Sequence, residues 1–219
     1  MKYLIVNSDD FGYTKGINKG IIEAYTNGIV TSTSVMVDEP AAIESRDLIK
    51  YKDLSIGLHF VLPKEGVPGN IEFNRQLRKF KELVGRDPDH IDVHKPRPNN
   101  YPQVEHILAD YSKENHVPVR NLGYAKLIKT FFGLNIDGSG PMDESRVTLE
   151  GLGRALEDVE DGYNELMCHV GYSDDALRGL SSYSDVREKE LRTLTSDEAK
   201  ELIQDRGITL CSWKQVRVE

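Results

Sequence analysis

The chain has 219 residues, with 28 Lys and Arg against 36 Asp and Glu and a formal charge of −8 at pH 7. That length is enough to bury a full core within one domain, taken as residues 1–219. The acidic balance argues against a nucleic-acid or anionic-membrane surface, which needs clustered Lys and Arg, but it does not exclude an acidic substrate at a local site.

Residues 3–8 form a continuous apolar run, the mark of a strand buried on both faces. Ile17, Ile21, Ile22, Ala24 and Tyr25 then recur at helical spacing until Asn27-Gly28 stops the pattern. The β-branched run 30–37 predicts a second strand, and Pro40 opens a helix running to about residue 51. A third strand covers 55–61. A Gly/Pro-rich turn over 63–69 follows, then a helix over 75–84 and a fourth strand over 90–94. The next expectations are a helix over 104–114, a short strand over 117–121 and a helix around 125–132 before a Gly-rich loop. Further on come a helix over 144–159 and an apolar strand over 164–169. Thr195-Ser196-Asp197-Glu198 has capping-box spacing ahead of a helix over 199–206, and Ile208 to Trp213 reads as the last strand. About seven strands alternating with helices predict an α/β fold with a parallel sheet, open or closed into a (β/α) barrel.

No run of about 18 apolar residues is present, so no membrane-spanning helix is expected. The opening apolar run meets Asn7 too soon for a signal peptide. Cys168 and Cys211, far apart and in apolar strand-like contexts, read as buried free thiols in a cytoplasmic protein.

Polar groups interrupt the apolar strands near their C-terminal ends, where parallel α/β folds collect functional residues. Asp9 and Asp10 follow strand one, His59 lies late in strand three, Asp92 and His94 end strand four, and His169 ends the penultimate strand. Adjacent carboxylates can divide two tasks, one binding a metal and the other taking a proton; the plainer alternative is a pair capping the turn at Phe11-Gly12. His59 and His94 fit either metal ligands or satisfied core histidines. Asp92 shares a strand face with His94, so it can line the pocket or orient a neighbouring imidazole. His90 is on that face but deeper, and His106 and His116 read as solvated. One Asp and two His would leave positions open on a divalent ion, and His169 suits proton donation near neutral pH. A buried strand-end histidine is the competing reading of His169.

Asn7-Ser8-Asp9-Asp10-Phe11-Gly12, Gly28 to Met36 and Gly57-Leu58-His59-Phe60 resemble the YdjC-like carbohydrate deacetylases. The resemblance continues in order through His90 to His94, Pro118-Val119-Arg120, Glu165 to Tyr172 and Arg187-Glu188-Lys189-Glu190-Leu191, and is loose over 123–160. It implies a (β/α) barrel of the glycoside hydrolase/deacetylase type, seven-stranded or distorted. It also implies a divalent metal on Asp10, His59 and His94, with Asp9 as general base and His169 as general acid. Arg120 is implied near the substrate or acetate product, and the strand period of Asp92 adds that residue to the expected substrate pocket. Two imidazoles favour Zn, while the resemblance also permits Mg. The implied partner is an N-acetylated sugar, and relatives suggest self-association.

Two departures stand out. Where the family continues D-x-H-x-H-x-H, the chain reads His94-Lys95-Pro96-Arg97-Pro98, which bears on the substrate more than on the metal. The usual His-Pro-Gly is His169-Val170-Gly171. Lys95, Arg97 and Arg120 suit either an anionic sugar or solvated surface. The rival functions are a sugar-binding protein with a degenerate site, a metal-dependent phosphoesterase, and a glycosidase on the same barrel. The absence of a P-loop lowers the phosphoesterase reading.

Overall fold

The computed structural model describes residues 1–96, 102–134 and 140–218. The chain runs β1 (Lys2–Phe11), α1 (Lys15–Asn27), β2 (Ser32–Val35), β3 (Ser55–Val61), α2 (Gly69–Val84), β4 (Ile91–His94), α3 (Pro102–Asn115) and β5 (Lys126–Ile128). It continues with α4 (Leu149–Ala155), β6 (Gly162–Cys168), α5 (Asp175–Leu180), α6 (Asp185–Thr195), α7 (Asp197–Asp205) and β7 (Ile208–Cys211). All strand pairs are parallel, in the order β4-β3-β2-β1-β6-β5, and β7 also pairs with β1.

The sheet is curled, and its two faces differ in chemistry. Leu4, Val6, Val35, Ile56, Leu58, Phe60, Ile91, Val93 and Leu166 belong to the main apolar cluster together with Ile17 and Ile21 of α1 and Phe73 and Phe80 of α2. Alternate residues point to the other face. At its floor Ile5 packs with Cys211, Trp213 and Val216, and the His90 ring stacks on Trp213 at 5.3 Å. Gly57 makes room there, since a Cβ at that position would meet His90 at 2.3 Å. Above the floor that face turns polar, with Asn7, Asp9, Ser34, His59, Asp92 and Glu165 all buried.

Local signals explain the helices that hold this sheet. Thr14 caps α1 by accepting from the Ile17 amide at 3.2 Å, and Gly28 follows its last turn. Gly85, at φ 84°, closes α2 in the left-handed conformation that glycine adopts without strain. Ser196 caps α7. Both cysteines are buried and unpaired, as expected. Among the described residues no helix is long and apolar enough to cross a membrane.

Of the open and closed forms left by the sequence, the described residues show the open one: between Val119, which makes only an isolated bridge to Ile91, and β5, no ladder pairing exists among them. Other expectations are corrected. The segment 117–121 is thus a bridge followed by a turn, and Asn121 has φ 71°. The helix expected around 125–132 is replaced by β5, three residues too short to show a period. The helix from Pro40 is a 3-10 run over Ala42–Lys50, and the one over 144–159 is split into 3-10 and α segments. Helix α2 starts six residues earlier than expected, straight after Pro68. Helices α5 and α6 were not anticipated. Arg97 and Pro98, and part of the Gly-rich loop, lie outside the described residues.

Candidate functional site

The site begins with an irregularity in β1. Ser8 pairs with Thr33 but Phe11 pairs with Val35, so three steps on β1 oppose two on β2. Asp10 absorbs the extra residue at φ 72°, in the left-handed region. In a regular strand Asp9 and Asp10 would face opposite sides of the sheet; the bulge brings both carboxylates to one rim. Gly12, at φ 101°, completes the turn. Both aspartates are nearly sealed from solvent.

Asp10 faces two imidazoles. Its Oδ1 lies 3.3 Å from His59 Nε2 and 3.3 Å from His94 Nδ1, and the two nitrogens are 3.0 Å apart. Atoms about 2.1 Å from one ion, at octahedral to tetrahedral angles, stand roughly 3.0–3.4 Å apart, so this triangle has the dimensions of a coordination face. His59 Nδ1 is 2.6 Å from Asp92 Oδ1. That contact assigns the ring proton to Nδ1 and leaves a lone pair on Nε2, aimed at the triangle. Asp10 Oδ1 is buried with no hydrogen-bond partner. Three ligand atoms converging at these distances, with Asp10 Oδ1 otherwise unpartnered, fit a cation. A second possible grouping, Asp9, His59 and Asp92, overlaps the first through His59, but Arg120 already occupies its carboxylates.

The electrostatics agree. Buried Asp9, Asp10, Asp92 and Glu165 face two buried guanidiniums, Arg120 and Arg187. If every carboxyl is ionised, two negative charges are left over. Burial favours a neutral His59 ring, yet Asp92 and Asp9 outweigh it and push its pKa up to about 10. With protein groups alone the site draws a proton onto His59, and a divalent ion answers the same demand.

Arg120 forms the second centre. Nη1 and Nη2 each donate to Asp9 at 2.8 Å, while Nε donates to Glu165 at 3.0 Å and Nη2 lies 3.1 Å from Asp92. Burial alone would raise the Asp9 carboxyl; the charge and hydrogen bonds of Arg120, together with the His59 charge, outweigh it and hold Asp9 below the usual carboxylate range. Asn7 donates to Asp9 Oδ1 at 2.7 Å, fixing its rotamer. Arg120 and Asp92 were both expected at the substrate. They are 5% and 0% exposed, and their polar atoms engage protein groups. Lys95, in contrast, is exposed just beyond His94.

His169 sits one residue past β6. Its ring stacks on Phe132 at 4.9 Å and meets Tyr183 edge-on at 5.7 Å. Burial pushes its pKa down to about 4. Its backbone N–H donates to Glu190 Oε2 at 2.6 Å, and the other Glu190 oxygen accepts from the Tyr183 hydroxyl. Burial lifts the Glu190 carboxyl to about 7. One turn earlier on α6, Arg187 Nη2 donates to Asp10 Oδ2 at 2.6 Å.

The expected groups thus come together: Asp10, His59 and His94 form the triangle, Asp9 stands beside it, and His169 lies within electrostatic reach of Asp10 and Asp9. Sequence reasoning assigned no role to Arg187, Glu190, Glu165, Asn7 or Ser34. Charges on the apolar stripe of a helix, as at 187 and 190 among Val186, Leu191 and Leu194, were the available signal. His106 and His116 are exposed and His90 is buried at the floor, as expected. Two surface clefts of about 420 Å³ each, one beside Phe11 and Lys15, the other beside Pro88, His116 and Trp213, are lined by none of Asp9, Asp10, His59, His94, Arg120 and His169.

A family model described as YdjC-like protein matches residues 3–71 and 70–205. A carbohydrate deacetylase of Geobacillus stearothermophilus is 33% identical over 250 aligned positions, which cover 98% of each chain. Among solved structures, an Enterococcus faecalis V583 protein provisionally described as a cellobiose-phosphate cleavage protein superposes with a TM-score of 0.79 at 27% identity, covering 99% of both chains. A family 4 carbohydrate esterase from Streptomyces lividans, in complex with acetate, has a TM-score of 0.57 at 12% identity, covering 100% of this chain and 97% of its own. That last likeness is one of fold, a curled parallel sheet flanked by helices. With its family model spanning most of the sequence and its relatives matching from end to end, the chain belongs to the YdjC-like family.

Proposed function

We propose that the protein is a metal-dependent carbohydrate deacetylase that hydrolyses the acetamide of an N-acetylated sugar to acetate and the amino sugar. The observation that carries this reading is the Asp10–His59–His94 triangle with the separate carboxylate of Asp9 beside it. The family's curated relatives support it, the Geobacillus enzyme being a carbohydrate deacetylase. A divalent ion held by the triangle would supply water of strongly lowered pKa and polarise the acetyl carbonyl. The donor set of two imidazoles and one carboxylate favours Zn over Mg.

The remaining work falls to the chain. Asp9, held ionised by Arg120 and oriented by Asn7, takes the proton of the attacking water. Arg120 and Asp92 act here as positioning groups, Arg120 for Asp9 and Asp92 for the His59 ring. His169 delivers a proton to the nitrogen as the C–N bond breaks. Burial keeps its ring neutral at rest, so it first takes up a proton, from solvent or from the one Asp9 has accepted, as negative charge develops at the acetyl oxygen. Assembly of all five groups weighs against a degenerate sugar-binding site.

The test is acetate release from a panel of N-acetylated sugars with Zn, Co, Mn or Mg. Release that is metal-dependent and vanishes in Asp9→Asn is expected. Silence across the panel from protein with bound metal would move the assignment to a different ester or amide, or to a phosphoester.

A further inference from the structure

Arg187 is 4% exposed on the inward side of α6. Its Nη2 donates to Asp10 Oδ2 at 2.6 Å, its Nε donates to the Tyr183 carbonyl at 3.0 Å, and its guanidinium lies 5.6 Å from the centre of the Tyr183 ring. Two of its nitrogens are thus tied down, one to Asp10 on β1 and the other to the turn that leads into α6. The other Asp10 oxygen, Oδ1, is the one facing His59 and His94. The two oxygens of one carboxylate are therefore committed to different partners.

A carboxylate terminus is a soft rotor, and the bulge at Asp10 fixes its backbone without fixing that rotation. A free carboxylate can chelate an ion through both oxygens, as at many oxygen-ligand sites, and so occupy a position that a reactant needs. We propose that Arg187 is a positioning residue for the metal site, restricting Asp10 to a single-oxygen ligand and so keeping coordination positions open for water and substrate. The proposal rests on reading Asp10, His59 and His94 as the cation site. A buried ion pair contributes little net stability over an apolar substitute, so the geometry it imposes is the more informative consequence. Helix α6 is anchored a second time by Glu190 on the His169 amide and Tyr183 hydroxyl.

Two measurements test this. In a crystal structure of the wild-type protein loaded with Zn, Asp10 is expected to bind through Oδ1 alone while Oδ2 stays on Arg187. Chelation by both Asp10 oxygens, or a broken Arg187 contact, overturns the proposal. An ion bound away from the triangle overturns the site reading beneath it, and the proposal with it. Calorimetric titration with Zn is the second arm. Loss of an outer partner of a ligand typically weakens binding by about 10- to 100-fold, and Arg187→Gln is expected to fall in that range, with Arg187→Lys in between. Unchanged Zn affinity in folded Arg187→Gln, with its melting temperature lowered, would mark the residue as structural only. His59→Ala separates the two claims: retained Zn binding there sinks the metal site itself, whatever Arg187 does. Should Arg187→Gln fail to fold, the wild-type crystal structure decides.

Discussion

The two sides of the site are held by different means. On one side Asp9, Asp10, His59, Asp92 and His94 stand on β1, β3 and β4, whose positions are set by parallel ladders broken only at the Asp10 bulge between β1 and β2. On the other side the ladder fails. Arg120 follows an isolated bridge, His169 lies past the end of β6, and Arg187 and Glu190 project from a helix. There, buried ion pairs and aromatic walls do the positioning: Arg120 on Asp9 and Glu165, Arg187 on Asp10, Phe132 and Tyr183 around His169. Metal ligands need distances fixed to a few tenths of an ångström, which a sheet supplies. Groups that move or steady protons need a tuned charge environment, which paired side chains supply.

Damage to the two sides should therefore differ in kind. The largest effect is expected from His59→Ala on the ladder side, which removes one corner of the triangle; metal analysis should find the ion lost and activity at background. Asp9→Asn keeps the triangle and should retain the ion while lowering kcat by about 10²- to 10⁴-fold, the usual worth of a general base. An Asp9→Asn protein that turns over at the wild-type rate would move the base elsewhere.

Breaking the ion-pair side should show first in stability. Arg120→Met leaves Asp9, Asp92 and Glu165 buried without their common cation. Loss of one partner of a buried pair costs about 3–5 kcal/mol, so the urea midpoint should fall accordingly. An unchanged midpoint would mean that Arg120 does not tie Asp9, Asp92 and Glu165 together in the folded protein.

The smallest effect is a pH slope. Burial raises the Glu190 carboxyl to about 7 in the folded protein from its ordinary value of 4.5. The folded state therefore binds the proton more tightly than the unfolded state. The stabilisation linked to that proton is fully present below about pH 4.5 and is lost as pH rises through about 7. Glu190→Gln, unable to titrate, should flatten the decline in melting temperature between pH 5 and 8 relative to wild type. Parallel curves for the two proteins would show that Glu190 does not titrate in this range.

The ladder side was also the legible one. Asp10, His59 and His94 interrupt apolar β-branched runs near strand ends, and a strand's two-residue period projects such interruptions to one face. Even so, the bulge that turns Asp10 beside Asp9 depends on the register against β2, which no local pattern encodes. Glu165 lies in the middle of an apolar strand and was passed over because its partner, Arg120, is 45 residues away. Arg187 and Glu190 escaped because a charged residue on a helix normally reads as solvated, and the stretch before Leu191 carries few apolar residues to establish a period. Strand β5 escaped because three residues, Lys126 to Ile128, show no alternation long enough to compete with a helical reading.

The most direct test is to strip the protein with chelator and titrate Zn back while following both bound ion and acetate release from an N-acetylated sugar that the wild type hydrolyses. The account predicts no release without the ion and a plateau at one ion per chain. It also predicts that Asp9→Asn binds the same single ion and releases no more acetate than background. Acetate release from ion-free protein, or a plateau independent of His59 and His94, would contradict it.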